Sequence, residues 1–193
     1  MNDMDEKQKI TDILEKLVDA LASEAEAIKN YILAPQNTSF SSDVFDSPVI
    51  FDNDPPKNAT KDKTYKALRG KKGIYVFTLA SDVTVTKDFN KVVYGAQLKD
   101  ISSLSFKKGD ILYLGKAKSF LTRMHQHFAI ADTFNTTGAL KLGSDPRKIL
   151  IGNLKIYAFP IKNTLIDYYD VITAAVESKI HTILSPLVGN PRV

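Results

Sequence analysis

Four side chains in the chain are of the types that hydrolysis of a phosphate ester requires. Such a reaction needs a water nucleophile, a group that takes its proton, and positive charge where the phosphate gathers negative charge. Tyr75 and Tyr113 can orient water or take a proton, Arg123 can bind phosphate through two hydrogen bonds, and Glu177 is a carboxylate suited to Mg²⁺. Because the chain contains no cysteine, thiolate zinc sites and cysteine nucleophiles are excluded.

The elements that must position these residues are short strands and amphipathic helices. Segments rich in β-branched and aromatic residues, bounded by Gly, Asp or Asn, predict strands at 74–79, 91–94, 111–114 and 149–161. Helical spacing predicts one helix from Ser119, as its N-cap, to about residue 131. Another is predicted from about Asp167 to Leu184. The order indicates an α+β fold, with a small central antiparallel sheet flanked by helices.

The first 72 residues form two further segments. Residues 1–34 predict an amphipathic helix with a regular apolar stripe, which ends at Pro35. The stripe either docks on the main domain or pairs with a second copy, which would make the protein a homodimer. Residues 35–72 read as an arm or loop in which only 49–51 indicates a short strand. Residues 73–193 are then left as the catalytic core.

The charge distribution favours a polyanionic partner. The chain carries a formal charge of +4, but residues 1–30 hold eight acidic and four basic side chains, so the remainder carries about +8. Basic residues cluster just before the first strand of the core and suit contacts with DNA phosphates: Lys63, Lys66, Arg69, Lys71 and Lys72. The polar, acidic beginning is unlike a signal peptide, and no segment is apolar enough to span a membrane. We expect a cytoplasmic protein.

The chemistry-bearing residues stand in a recognisable order. They are the triplet Gly73-Ile74-Tyr75, the triplet Tyr113-Leu114-Gly115, and then Lys116, Arg123, His127, Glu177 and Asn190. This order resembles the signature of the GIY-YIG nucleases. Residues 111–128 are particularly similar to the nuclease domain that makes the first incision in bacterial nucleotide excision repair. Family members usually join the two tyrosine strands by a short turn, whereas residues 80–109 form a long insert here.

The resemblance implies a role for each residue of the series. It implies that Glu177 is the single carboxylate ligand of Mg²⁺, with Mn²⁺ as a substitute, and that Arg123 clamps the scissile phosphate. Both tyrosines, Lys116 and His127 would complete the catalytic site. Asn190 either hydrogen-bonds near the phosphate or is a turn residue before proline. Because a phenol has an ordinary pKa near 10, the tyrosine that acts as base needs help, and the sequence leaves open which tyrosine that is.

The resemblance also implies an activity. We expect a metal-dependent DNA endonuclease that hydrolyses phosphodiester bonds, of the restriction or defence type, since the helix, arm and insert offer material for site recognition. Two alternatives stay open. One is a repair-type, structure-specific nicking nuclease, and the other is a nucleic-acid-binding module that kept the fold without catalysis.

Overall fold

The protein is an α+β structure built around a four-stranded antiparallel sheet. The computed structural model describes residues 3–35, 39–52, 66–85, 104–128, 139–140, 142–143 and 147–187. Its strands are β1 (Val49–Asp52), β2 (Gly73–Leu79), β3 (Val83–Val85), β4 (Leu104–Phe106), β5 (Ile111–Ala117) and β6 (Leu154–Pro160). Its α-helices are α1 (Asp3–Leu33), α2 (Phe120–Phe128) and α3 (Tyr169–Leu184). The central sheet has the strand order β1-β6-β2-β5, and β3 pairs with β4 separately.

Both faces of the central sheet are covered, which explains why its strands are apolar along almost their whole length. All residues of β2 are buried, and each of β5 and β6 has a single partly exposed residue. On one face α2 packs through Phe120, Met124 and Phe128. On the other face α1 and α3 pack together against the sheet. The predicted class, an antiparallel sheet flanked by helices, is therefore confirmed.

The register of β2 against β5 brings the two motif tyrosines to one face. Tyr75 lies opposite Gly115, and Phe77 lies opposite Tyr113. Because alternate side chains of a strand point to the same face, Tyr75 and Tyr113 both face α2. The pairing shifts between Phe77 and Thr78, and the strand β5 lies at the edge of the sheet. An edge strand leaves one side open on which a cleft can form.

Among its described side chains, those that dock helix α1 lie in its second half. Ala25, Ile28 and Ile32 are buried in one apolar cluster with Val176 and Ile180 of α3. In the first half, by contrast, the large apolar side chains are half or more exposed: Ile13, Leu14, Leu17 and Val18. Docking, one of the two arrangements that the sequence left open, thus holds for residues 25–32.

A buried carboxylate fastens the arm to α1. Glu24 accepts hydrogen bonds from Ser42 Oγ at 2.5 Å and from the main-chain N–H of Asp43 at 3.0 Å. Farther along the arm, Phe45 forms an isolated β-bridge with Ile161. The short strand predicted at 49–51 is confirmed as β1, which pairs with β6. Residues 42–52 of the arm therefore belong to the same folded body as the sheet.

Local backbone chemistry accounts for the difference between the predicted and observed elements. The strand predicted from 149 begins only at Leu154, because Arg147–Leu150 forms a 3₁₀ helix and Gly152 adopts a φ of 92° that a strand does not allow. Helix α2 begins after Ser119 as predicted, with Ser119 Oγ 3.4 Å from the Thr122 amide. The strand predicted at 91–94 lies outside the described residues. None of the described helices is long and apolar enough to cross a membrane.

The docking of α1 leads to a test of stability. Replacing the fully buried Ile28 by Ala leaves a cavity between α1, α3 and the sheet, so we expect Ile28→Ala to lower the free energy of unfolding by about 2–5 kcal/mol. The matched control is Leu17→Ala on the exposed half of the same helix, for which we expect about 0.5 kcal/mol or less. Urea denaturation measures both. Equal losses would show that the second half of α1 is not the docked half.

Candidate active site

A cleft lies where the edge strand β5 meets α2 and α3. Its volume is about 360 Å³, and we call it the cleft throughout. Its lining includes side chains that can contact an anionic or metal-bound substrate, among them Tyr113, Lys116, Arg123, Gln126 and Glu177. Four of these five belong to the series of residues that the sequence singled out. The cleft is therefore the candidate active site.

Arg123 is joined by hydrogen bonds to three other side chains in or next to the cleft. Its Nε donates to Tyr75 Oη at 2.9 Å, and its Nη2 donates to Tyr113 Oη at 3.3 Å. A third bond runs from Nη1 to Gln126 Oε1 at 3.0 Å. Burial acts to lower the pKa of Arg123, but the interactions with the two tyrosines prevail and raise it. The guanidinium is thus held in one orientation with its positive charge beside the cleft.

Tyr75 lies beneath the cleft and is completely buried. Its Oη is 2.8 Å from His127 Nε2 as well as 2.9 Å from Arg123 Nε. Its ring is stacked on that of Tyr113, with the centroids 6.0 Å apart and the planes at 21°. Burial raises the pKa of Tyr75 well above its ordinary value, Tyr113 raises it further, and Arg123 opposes both effects. Tyr75 is therefore a neutral phenol at physiological pH.

Glu177 reaches the cleft from the other face of the sheet. It projects from α3, which packs on the face opposite α2, and its side chain is 16% exposed. Lys116 Nζ lies 3.9 Å from Glu177 Oε2, and Lys116 is paired in the sheet with Ile74, on that same face. Because no strand in the described part of the chain pairs with the outer side of β5, residues from both faces meet around it. The structure thus brings Glu177, Tyr113 and Arg123 around one cleft.

The donor set of the cleft suits a hydrated Mg²⁺ or Mn²⁺ ion. Among the described residues, no three of the His, Asp and Glu side chains cluster as they do in a site built wholly from protein ligands. Mg²⁺ commonly binds one or two carboxylates and fills its remaining positions with waters and substrate phosphate oxygens. Glu177 at the edge of an open cleft matches that requirement. It is the residue that would hold the ion.

Both glycines of the two triplets are required by close approaches. A Cβ at Gly115 would lie 2.5 Å from Tyr75 Oη and 3.1 Å from Tyr113 Cε1. A Cβ at Gly73 would collide with the main-chain oxygen of Phe159 on the neighbouring strand. The absence of a side chain at Gly115 is therefore what lets the Tyr75 hydroxyl pass over β5 and reach Arg123.

The basic residues proposed for DNA contacts have different surroundings. Lys72 Nζ lies 5.7 Å from the ring centroid of Tyr169, a residue that lines the cleft. Lys71 Nζ lies 3.5 Å from a carboxylate oxygen of Asp46. Lys66 and Arg69 are exposed. Lys72 is thus next to the cleft. Asn190 lies outside the described residues.

The sequence prediction missed several residues in and next to the cleft, among them Gln126, Tyr169 and Leu140. Gln126 follows Arg123 by three residues, so the helical period could have placed the two on one face. Tyr169 begins α3, and burial raises its pKa to about 12. The main-chain amide of Leu140 donates to His127 Nδ1 at 3.0 Å, a contact that no residue type signals in advance.

Comparison of the chain with protein-family models, with curated proteins and with solved structures finds no match in any of the three. A functional inference therefore depends on the contacts within the cleft and on the resemblance of the motif residues.

The close approach at Gly115 can be tested by coupled substitutions. We expect Gly115→Ala to lower the free energy of unfolding by about 1–3 kcal/mol, because its methyl group would displace the Tyr75 hydroxyl. In that background Tyr75→Phe should cost less than it does in the wild type, since the hydroxyl is already displaced. Chemical denaturation of the four proteins gives the coupling energy. Strictly additive losses would contradict the proposed contact.

Proposed function

We propose that this protein is a divalent-metal-dependent endonuclease that hydrolyses phosphodiester bonds in DNA. The observation that carries the proposal is that Arg123, bonded to both Tyr75 and Tyr113, shares one cleft with the carboxylate of Glu177. The antiparallel pairing of the two triplet strands supports assigning the α+β arrangement to the GIY-YIG nuclease fold.

Arg123 would bind the scissile phosphate. Its guanidinium is oriented before substrate arrives by three hydrogen bonds, so little side-chain entropy is lost on binding. Fixed positive charge beside the pentacoordinate phosphate stabilises the negative charge that gathers there. Lys116, which also lines the cleft, adds a second cation on the side of Glu177.

Tyr113 is the phenol that meets the attacking water. It lines the cleft, whereas Tyr75 is completely buried behind it and protonated at physiological pH. In the reaction, Tyr113 acts as a phenolate and takes a proton from the water as the water oxygen bonds to phosphorus. The bond from phosphorus to the leaving ester oxygen breaks, and that oxygen takes a proton from solvent. Tyr75 holds Arg123 and Tyr113 in position. A divalent ion held by Glu177 would supply positive charge to the phosphate and acidify a bound water.

The charge around the cleft supports DNA as the substrate. Lys72 and Lys116 stand near its rim, and the chain beyond residue 30 carries about +8. We favour a restriction or defence role because α1, the arm and the insert add material for recognition to a short chain. An adjacent DNA methyltransferase gene would support that role.

Cleavage of supercoiled plasmid tests the activity. We expect nicking or linearisation with Mg²⁺ or Mn²⁺ and none with EDTA. Glu177→Gln, which removes the charge but keeps the shape of the side chain, should reduce the rate by about 10²-fold or more. Asp170→Asn is the matched control on the same helix. Asp170 is exposed, and within the described part of the chain its side chain bonds to Lys118, which is also exposed. This variant should cut like the wild type.

Two outcomes would contradict the endonuclease assignment. A wild-type protein that binds duplex DNA but cuts with no divalent cation would be a binding module. Cleavage by Glu177→Gln at the wild-type rate would show that this carboxylate holds no essential ion.

The fork of hydrogen bonds from Arg123 gives a separate prediction. Lys keeps the positive charge but lacks the planar fork that reaches both tyrosines, so we expect Arg123→Lys to lower the single-turnover cleavage rate by about 10²-fold. Affinity for duplex DNA at fixed salt should change little, because one charge is retained. Loss of affinity in proportion to the loss of rate would mean that Arg123 only anchors DNA.

A further inference from the structure

The two ring nitrogens of His127 have different partners. The imidazole is completely buried, with Nδ1 3.0 Å from the main-chain N of Leu140 and Nε2 2.8 Å from Tyr75 Oη. Its ring is packed between those of Phe77 and Tyr113, with both centroid distances at 5.0 Å. The ring therefore has one fixed orientation.

The Leu140 contact fixes the position of the His127 proton. A main-chain N–H is always a donor, so Nδ1 must accept and cannot carry a proton. A neutral imidazole carries its single proton on one nitrogen, which leaves it on Nε2. The opposite tautomer would place two donors face to face in a buried site and leave both unsatisfied. Nε2–H therefore donates to Tyr75 Oη.

The direction of the bond from His127 to Tyr75 determines where the Tyr75 hydroxyl proton can point. Tyr75 Oη now accepts from both His127 Nε2 and Arg123 Nε. Since a hydroxyl oxygen has two lone pairs, the Tyr75 proton must point elsewhere. Arg123, which Tyr75 holds at Nε, then carries the connection to the second tyrosine. Tyr113 Oη also accepts from Arg123 Nη2 at 3.3 Å.

We infer that the main-chain amide of Leu140 sets the direction of a hydrogen-bond chain through His127 to the Tyr75 hydroxyl that holds Arg123, which makes His127 a positioning residue. His127 is a donor in this chain and not a general base. The inference rests on the proposed function for the catalytic meaning of Arg123, but the tautomer is a property of the protein without substrate. The main-chain amide of Leu140 thereby orients the Tyr75 hydroxyl beneath the cleft.

The tautomer can be measured directly on the wild-type chain without DNA or metal. The protein contains three histidines, so a long-range ¹H–¹⁵N correlation spectrum of histidine-labelled protein is simple, and His125→Gln and His181→Gln identify their own signals. At pH 7.5 we expect His127 to show an unprotonated Nδ1 and a protonated Nε2. A protonated Nδ1, alone or in a doubly protonated ring, would overturn the inference. Absence of nuclease activity would leave this test unaffected.

A pair of substitutions separates positioning from simple packing. Gln at position 127 can present an amide N–H to Tyr75, whereas Asn can accept from Leu140 but is too short to reach Tyr75. We expect His127→Gln to retain at least about tenfold more single-turnover cleavage than His127→Asn, at similar DNA affinity. Equal or greater activity of His127→Asn would show that the Leu140 contact alone matters and would overturn the positioning role. The spectrum of the wild type still tests the His127 tautomer even if neither variant folds.

Discussion

The hydrogen bonds of the Arg123 guanidinium to the hydroxyls of Tyr75 and Tyr113 are the constraint on which the rest of the site depends. A largely buried cation requires partners, because desolvation disfavours its charge. To supply them, β2 and β5 must pair in the register that brings both tyrosines to the face of α2. That register sets Tyr75 above position 115, where only glycine leaves room for its hydroxyl. The buried charge of Arg123 thus requires both the register of β2 against β5 and the glycine at position 115.

The edge position of β5 explains how a carboxylate from the opposite face joins the same site. Glu177 stands on α3, and α3 is held against the sheet by its contacts with the second half of α1. The N-terminal helix therefore contributes to the site although it does not line the cleft. The layer formed by α1 and α3 thus covers the far face of the sheet and also places the proposed metal ligand.

Local patterns were sufficient for a continuously apolar strand and for a helix with one buried face. The β-branched and aromatic run of β2 predicted a strand, and the spacing of Val176 and Ile180 predicted α3, as both are found. The same patterns placed the start of β6 too early, because the conformation of Gly152 decides it. The Leu140 amide that meets His127 is a main-chain group thirteen residues away, and main-chain groups carry no residue-type signal. Contacts set by tertiary structure were therefore the part that could not be predicted.

The most direct measurement is a crystal structure of Tyr113→Phe bound to duplex DNA and Mn²⁺, in which removal of the proposed proton acceptor should keep the strand intact. We expect an anomalous peak for one Mn²⁺ at the Glu177 carboxylate, sharing a DNA phosphate that is also hydrogen-bonded to Arg123. A phosphate backbone that crosses another surface of the protein, or an ion held without Glu177, would contradict the account.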